Sequence, residues 1–143
     1  MPKAAVATSE GLMPDLSPWA PRVLSILRIM AALLFMEHGL MKLFHFPGPQ
    51  PGVPMPLPPL LMLAGWIETV GGALLVLGLF SRWAAFLCSG EMAAAYFLYH
   101  APHGFWPAQN EGDAAILFCF VFLYLVFAGG GTWSLDRAIR KAA

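Results

Sequence analysis

Apolar residues in this chain come in unbroken runs rather than in alternation with polar ones. Four stretches, 21–44, 57–80, 83–100 and 114–128, consist mainly of Leu, Ala, Phe, Met, Val and Gly. At about 1.5 Å of rise per helical residue each approaches the ~30 Å of a bilayer core, the last once 110–113 are joined to it. Runs of this kind predict membrane-crossing helices. The first opens at Pro21, whose missing N–H costs nothing in a first turn, and ends near His45. The stretch after it holds Pro47, Pro49, Pro51, Pro54, Pro56, Pro58 and Pro59. Its hydrogen-bond-poor backbone belongs outside the hydrocarbon, where water can satisfy it.

The second run ends around Gly78, and Ser81 follows almost at once as the expected N-cap of the third helix. Those two helices must therefore form a tight hairpin. The third stops before Pro102, and Asn110 is read as the cap of the fourth, with Glu111 and Asp113 near its positive end. Gly129, Gly130 and Gly131 terminate it. The tail SLDRAIRKAA reads as a short helix capped by Ser134, with Arg137, Arg140 and Lys141 on a face suited to an anionic leaflet. The expected fold class is all-α: an antiparallel four-helix transmembrane bundle with a short C-terminal interfacial helix. Residues 1–20 would be a cytoplasmic leader, 21–131 the bundle and 132–143 an amphipathic cytoplasmic tail.

Composition sharpens this. The chain is 59% hydrophobic and 11% charged, with mean hydropathy +0.68, against about 25% charged in soluble domains. Zero net charge and the lack of a basic tract make nucleic acid a poor partner and membrane lipid the expected one. Residues 1–20 mix Lys3, Glu10 and Asp15 with Pro2, Pro14 and Pro18, so no signal peptide is expected. Lys3, Arg22, Arg82, Arg137, Arg140 and Lys141 fall on the side shared by both termini and the 2–3 turn. The positive-inside tendency then puts both termini in the cytoplasm and His38, His45, His100 and His103 towards the opposite face.

Charges inside the runs are the candidate chemistry, because each costs about 2.5–3.5 kcal/mol or more at a helix centre without a partner or cavity. At 100° per residue Arg28, Ala32, Phe35, Gly39 and Lys42 share one stripe, His38 lies beside it, and Glu37 points away. Glu68 lies between Gly65 and Gly72, small residues that admit a neighbouring backbone. Matching depths lead us to expect a buried polar network of Arg28, Glu68 and Glu91, with Arg28 paired to one of the glutamates. Lys42 is open to two readings, a member of the stripe or a group reaching the interface. Candidate ligand contacts near the outer face are His38, Lys42, His100, Asn110, Glu111, Asp113 and Tyr124, the last on a 110, 114, 117, 121 face of helix four. No HxxxH or HExxH spacing occurs, so no metal is expected, and Cys88 and Cys119 read as small buried hydrophobes rather than a disulfide.

Arg28, Phe35, Gly39 and Lys42, then GWIETVGGALLVLGLFSR at 65–82, NEGDAA at 110–115 and GGGTWSLD at 129–136, resemble the DoxX family of small bacterial and archaeal membrane proteins. The resemblance spans roughly 22–137. The chain departs from the family pattern at Glu111 and Asp113, where relatives carry glycine and glutamate, and at Gly130, where proline is frequent. The resemblance implies a multi-pass protein of the plasma (inner) membrane and a quinone-linked redox accessory subunit of a membrane oxidoreductase system, with quinone as the possible cofactor. The chain has no soluble thiosulfate-handling domain, so a complete oxidoreductase in one polypeptide is not expected. A non-catalytic assembly subunit and an oligomeric small-solute transporter or channel are the alternatives. A second copy of the chain or a redox protein would be the partner.

Overall fold

The computed structural model describes residues 13–142. The expectations for residues 1–12, including the side on which Lys3 lies, fall outside them. Among the described residues there are five α-helices and no strand. Helix α1 is Ala20–Phe44, preceded by the 3-10 turn Ser17–Trp19. Helix α2 is Pro59–Leu77, interrupted by a π turn at Ile67–Gly71. Helix α3 is Ser81–Ala95 and widens into a second π turn, Tyr96–His100. Helix α4 is Asp113–Ala128 and α5 is Leu135–Ala142. Ser17–Phe44 and Pro59–Leu77 are long and apolar enough to cross a membrane, and Asp113–Ala128 is apolar but shorter.

The helix α1 stripe is buried as its spacing requires: Arg28, Ala32, Phe35, Gly39 and Lys42 face inward, and Glu37 is exposed. Phe35 anchors the core, with its ring edge-on to Phe122 at 4.8 Å and tilted to Phe118 at 5.7 Å. Leu75, Ala85, Cys88 and Leu125 complete that layer. Glycine sets how closely α2 approaches its neighbours. A Cβ on Gly39 would lie 2.7 Å from the Gly65 carbonyl oxygen and 2.5 Å from Thr69 Oγ1, whereas one on Gly71 would meet Cys88 Sγ at 2.5 Å. Helix α2 is thus wedged between α1 and α3.

That wedge is uneven. The first half of α2, Pro59–Trp66, packs on α1, while its contacts with α3 come mainly from residues 67–77. Helices α2 and α3 meet at the Gly78 turn (φ +69°) and spread apart towards the proline-rich connection. Three expectations change here. Ser81 does not cap α3 with its side chain; the carboxylate of Asp136 does, accepting the Phe80 and Ser81 amides at 2.8 Å each. Asn110 is not the α4 cap residue, which is Gly112; instead Asn110 binds the Gly112 amide at 2.9 Å and the Gly104 carbonyl at 2.8 Å. The inward face of α4 is Ala115, Phe118, Phe122 and Leu125, so Tyr124 and Leu117 point outward. A helix apolar all round gives its periodicity nothing with which to choose a face. Ser134 does cap α5, accepting the Arg137 amide at 3.3 Å.

Candidate functional site

Two polar centres lie at opposite ends of the molecule. At one end Arg28 is fully buried and, among the described residues, forms no ion pair with a carboxylate. Its Nε donates to Gly130 O at 2.8 Å, one terminal nitrogen to Leu75 O and to Val76 O (2.8 Å), and the other to Trp133 O at 2.5 Å. Leu75 and Val76 are in the last turn of α2, whose carbonyls carry its negative dipole end; Leu75 O also accepts the Gly78 amide at 3.2 Å. The guanidinium fork satisfies them and fastens the glycine-rich turn to the same point. Arg82 does the equivalent for α4, donating to Val126 O and Phe127 O at 2.6 and 2.7 Å. The expected pairing of Arg28 with Glu68 or Glu91 is therefore corrected. The depths expected from sequence did not hold: Arg28 lies level with Leu75 and Val76, about 10–12 Å along α2 from Glu68, where helix-end carbonyls take its protons.

At the other end, about 21 Å further along α1 at the standard rise, Lys42 Nζ donates to both oxygens of Glu68, at 2.5 and 2.6 Å. Both side chains are buried, 8% and 2% exposed, so Lys42 belongs to the inward stripe. Glu68 lies in the π turn of α2, and such turns often sit at functional sites. Glu91 faces the same space from α3; its Oε2 is buried and has no hydrogen-bond partner among the described residues.

This pair lines a cavity of ≈ 970 Å³ in the cleft between α2 and α3. Phe35, Ile67, Phe86, Met92 and Phe118 give it apolar walls, and the exposed Leu60, Leu63, Leu87 and Leu98 border its opening along the helix sides. Segment 50–54 and the connection around 109–111 form its outer rim. Of the sequence candidates, His38, Lys42, Glu68, Glu91, His100, Asn110 and Glu111 line it. Asp113 and Tyr124 are not among its lining residues, and Arg28 is remote. Gln50, Tyr99 and His103 also line it without having been singled out. Gln50 carries the only polar side chain between Phe46 and Pro59, a signal that the proline content masked. Among the described residues no group of three His, Cys, Asp or Glu is arranged to hold a metal ion.

Hydrogen-bond sense is fixed at the rim. The Nδ1 atoms of His38, His100 and His103 lie 2.9, 3.0 and 2.7 Å from the carbonyls of Leu34, Asn110 and Tyr99. A carbonyl only accepts, so each Nδ1 carries the proton, and in the neutral ring Nε2 is left as an acceptor. Asn110 is engaged by the loop, and Lys42 gives two of its three N–H protons to Glu68.

The chain matches the family model described as DoxX over residues 23–101. It is 44% identical over 133 residues to an uncharacterized protein of Haemophilus influenzae, covering 90% of this chain and 99% of that one. It is 30% identical to the uncharacterized membrane protein Rv3486 of Mycobacterium tuberculosis (86% and 84% covered) and 28% identical to the inner membrane protein YqjF of Escherichia coli (81% and 91%). No solved structure matches. A family match over more than half its length, with relatives that align nearly end to end, makes this chain a member of the DoxX family of membrane proteins.

Proposed function

We propose that this protein is a multi-pass inner-membrane protein that binds an amphipathic, quinone-type molecule in the α2–α3 cleft and serves a membrane redox system as an accessory subunit. Helices α1–α4 cross the bilayer as an antiparallel four-helix bundle, α5 lies on the inner surface, and both termini are cytoplasmic. The observation that carries the reading is the ≈ 970 Å³ cavity, apolar along its walls and polar where Lys42, Glu68 and Glu91 meet. Ligand sites have this constitution: mostly apolar lining with a few fixed polar groups. Its opening between Leu60, Leu63, Leu87 and Leu98 suits entry of a hydrophobic molecule from lipid. The wide band of exposed Leu, Phe, Met and Ile suits lipid contact, and Arg22, Arg82, Arg137, Arg140 and Lys141 suit the inner side. The redox role rests on the family resemblance. The exposed Glu37 would suit contact with a second copy or another subunit.

Gly90 lines the cavity, and a Cβ there would meet nothing within 4 Å. Gly90→Trp should therefore place its ring in the cavity and obstruct it without disturbing packing. Titrating purified protein with a short-tailed quinone, in both redox forms, should give saturable binding to the wild type and none to Gly90→Trp. Failure of both forms to bind the wild type would refute the reading.

A further inference from the structure

Where α2 ends, at the basic end of the molecule, it borders a second, open hollow of ≈ 410 Å³ against α5. Its lining divides by chemistry. Leu77, Trp133 and Leu135 give an exposed apolar side, and Arg137 and Lys141, one turn apart on α5, give a basic one. Among the described residues neither cation forms an ion pair. The adjacent acid, Asp136, holds the Phe80 and Ser81 amides instead. Other basic groups at this end are engaged elsewhere. Arg22 stacks over the Trp19 ring at 5.1 Å, Arg28 and Arg82 sit on carbonyls, and Arg140 Nε donates to Asp136 O at 3.2 Å. The hollow is also fixed in shape. The Asp136 amide donates to Gly78 O at 2.9 Å, and the Trp133 amide to Ser25 Oγ at 3.0 Å, so α5 and the turn before it are tied to the ends of α2 and α1. Leu77 closes a helix long and apolar enough to cross a membrane. The hollow therefore stands where hydrocarbon gives way to headgroups, a level that also suits Trp133.

We infer that this hollow binds an anionic phospholipid, with Arg137 and Lys141 on the phosphate and Leu77 and Trp133 against the start of the acyl chains. The inference takes from the proposed function only the membrane setting with α5 at the surface, and it is independent of the α2–α3 ligand. A guanidinium meets phosphate oxygens with paired N–H groups, an ammonium adds a point charge, and each basic group at a membrane surface favours anionic lipid. The hollow is open on its lipid side, so its occupant exchanges with detergent on extraction and has to be added back. Phosphatidylglycerol and phosphatidylcholine with the same acyl chains differ in net charge, so the pair isolates the claim.

Titration of the delipidated, detergent-solubilised full chain with dioleoyl phosphatidylglycerol and dioleoyl phosphatidylcholine, read by native mass spectrometry, tests this. Wild type should bind the first lipid about tenfold tighter than the second. Arg137→Gln with Lys141→Gln should abolish most of that preference, while Arg140→Gln, on α5 but off the lining, should keep it. Neither Arg137 nor Lys141 is buried, so the double variant should unfold at the wild-type temperature in detergent. Gly90→Trp should also keep the preference; its loss there would place the lipid in the α2–α3 cavity and overturn the inference. Equal affinity of wild type for the two lipids would overturn it without any variant. So would an equal loss in Arg140→Gln, which would mean diffuse attraction rather than a site. Replacing acetate by inorganic phosphate at equal ionic strength should leave the lipid bound; displacement would make this a site for free phosphate and overturn the lipid assignment. None of these failures touches the quinone-type reading, which fails only in its own titration.

Discussion

At the scale of single residues, the four innermost charges among the described residues solve the burial problem in three ways. Arg28 is neutralised by peptide dipoles, Lys42 and Glu68 by each other, and Glu91 is left facing a cavity. Removing one member of a buried ion pair strands the other, at about 3–5 kcal/mol, whereas replacing both with apolar groups of similar volume is often near neutral. Lys42→Met and Glu68→Leu should each lower the unfolding temperature in detergent sharply, and the double variant should recover most of the loss. The corresponding cycle of Arg28→Met with Glu68→Leu should be additive within about 0.5 kcal/mol, because the two share no partner. The sequence made the inward stripe legible: 28, 32, 35, 39 and 42 fall on one helical face, and each is buried. It did not make the partners legible. Counting helical rise put Arg28, Glu68 and Glu91 at compatible depths, but Arg28 lies level with the end of α2, and nothing in residue spacing reveals that the last carbonyls of α2 and the glycine turn converge on the guanidinium.

Among the helices and their ends, close approach and capping do most of the work. Gly39→Ala would drive a Cβ into the backbone of Gly65 and Thr69, whereas Gly90→Ala enters open space and gains helix propensity of roughly 0.5–1 kcal/mol. Thermal unfolding should show Gly39→Ala clearly destabilised and Gly90→Ala unchanged or stabilised. Asp136 caps α3 across sequence, joining the tail to the 2–3 turn. Partial burial pushes its carboxyl up, but the Ser81 and Phe80 hydrogen bonds outweigh that and hold it below the ordinary carboxylate value. A lowered folded-state pKa means the stabilisation is complete above the unfolded value of about 3.8 and is lost as pH falls through the folded one. Asp136→Ala should cost about 0.5–2 kcal/mol at neutral pH, with the deficit vanishing in strong acid. The runs, the proline connection and the Ser134 cap were readable from sequence. The two π turns were not, because an i→i+5 turn leaves no mark in a 3.6-residue period. Nor was the inner face of α4, where Phe, Leu and Val occupy every side.

For the whole molecule, the two ends divide the labour. One is closed by Arg28, Arg82 and Asp136 on helix ends and carries most of the basic residues; the other opens into the cavity beneath the two long connections. In the proposed orientation single cysteines at Gly52 and Phe105, both exposed, should react with a membrane-impermeant thiol reagent from outside intact cells. One at Arg140 should react only after permeabilisation; the reverse pattern would invert the topology. The central claim is that the cleft between α2 and α3 holds a small amphipathic molecule in the membrane. Native mass spectrometry of the protein released from its own membranes tests it most directly. Wild type should retain a discrete bound mass belonging to one apolar-tailed molecule with a polar head, and Gly90→Trp should lack it. A wild-type spectrum of bare protein, or the same adduct on both proteins, would contradict the account.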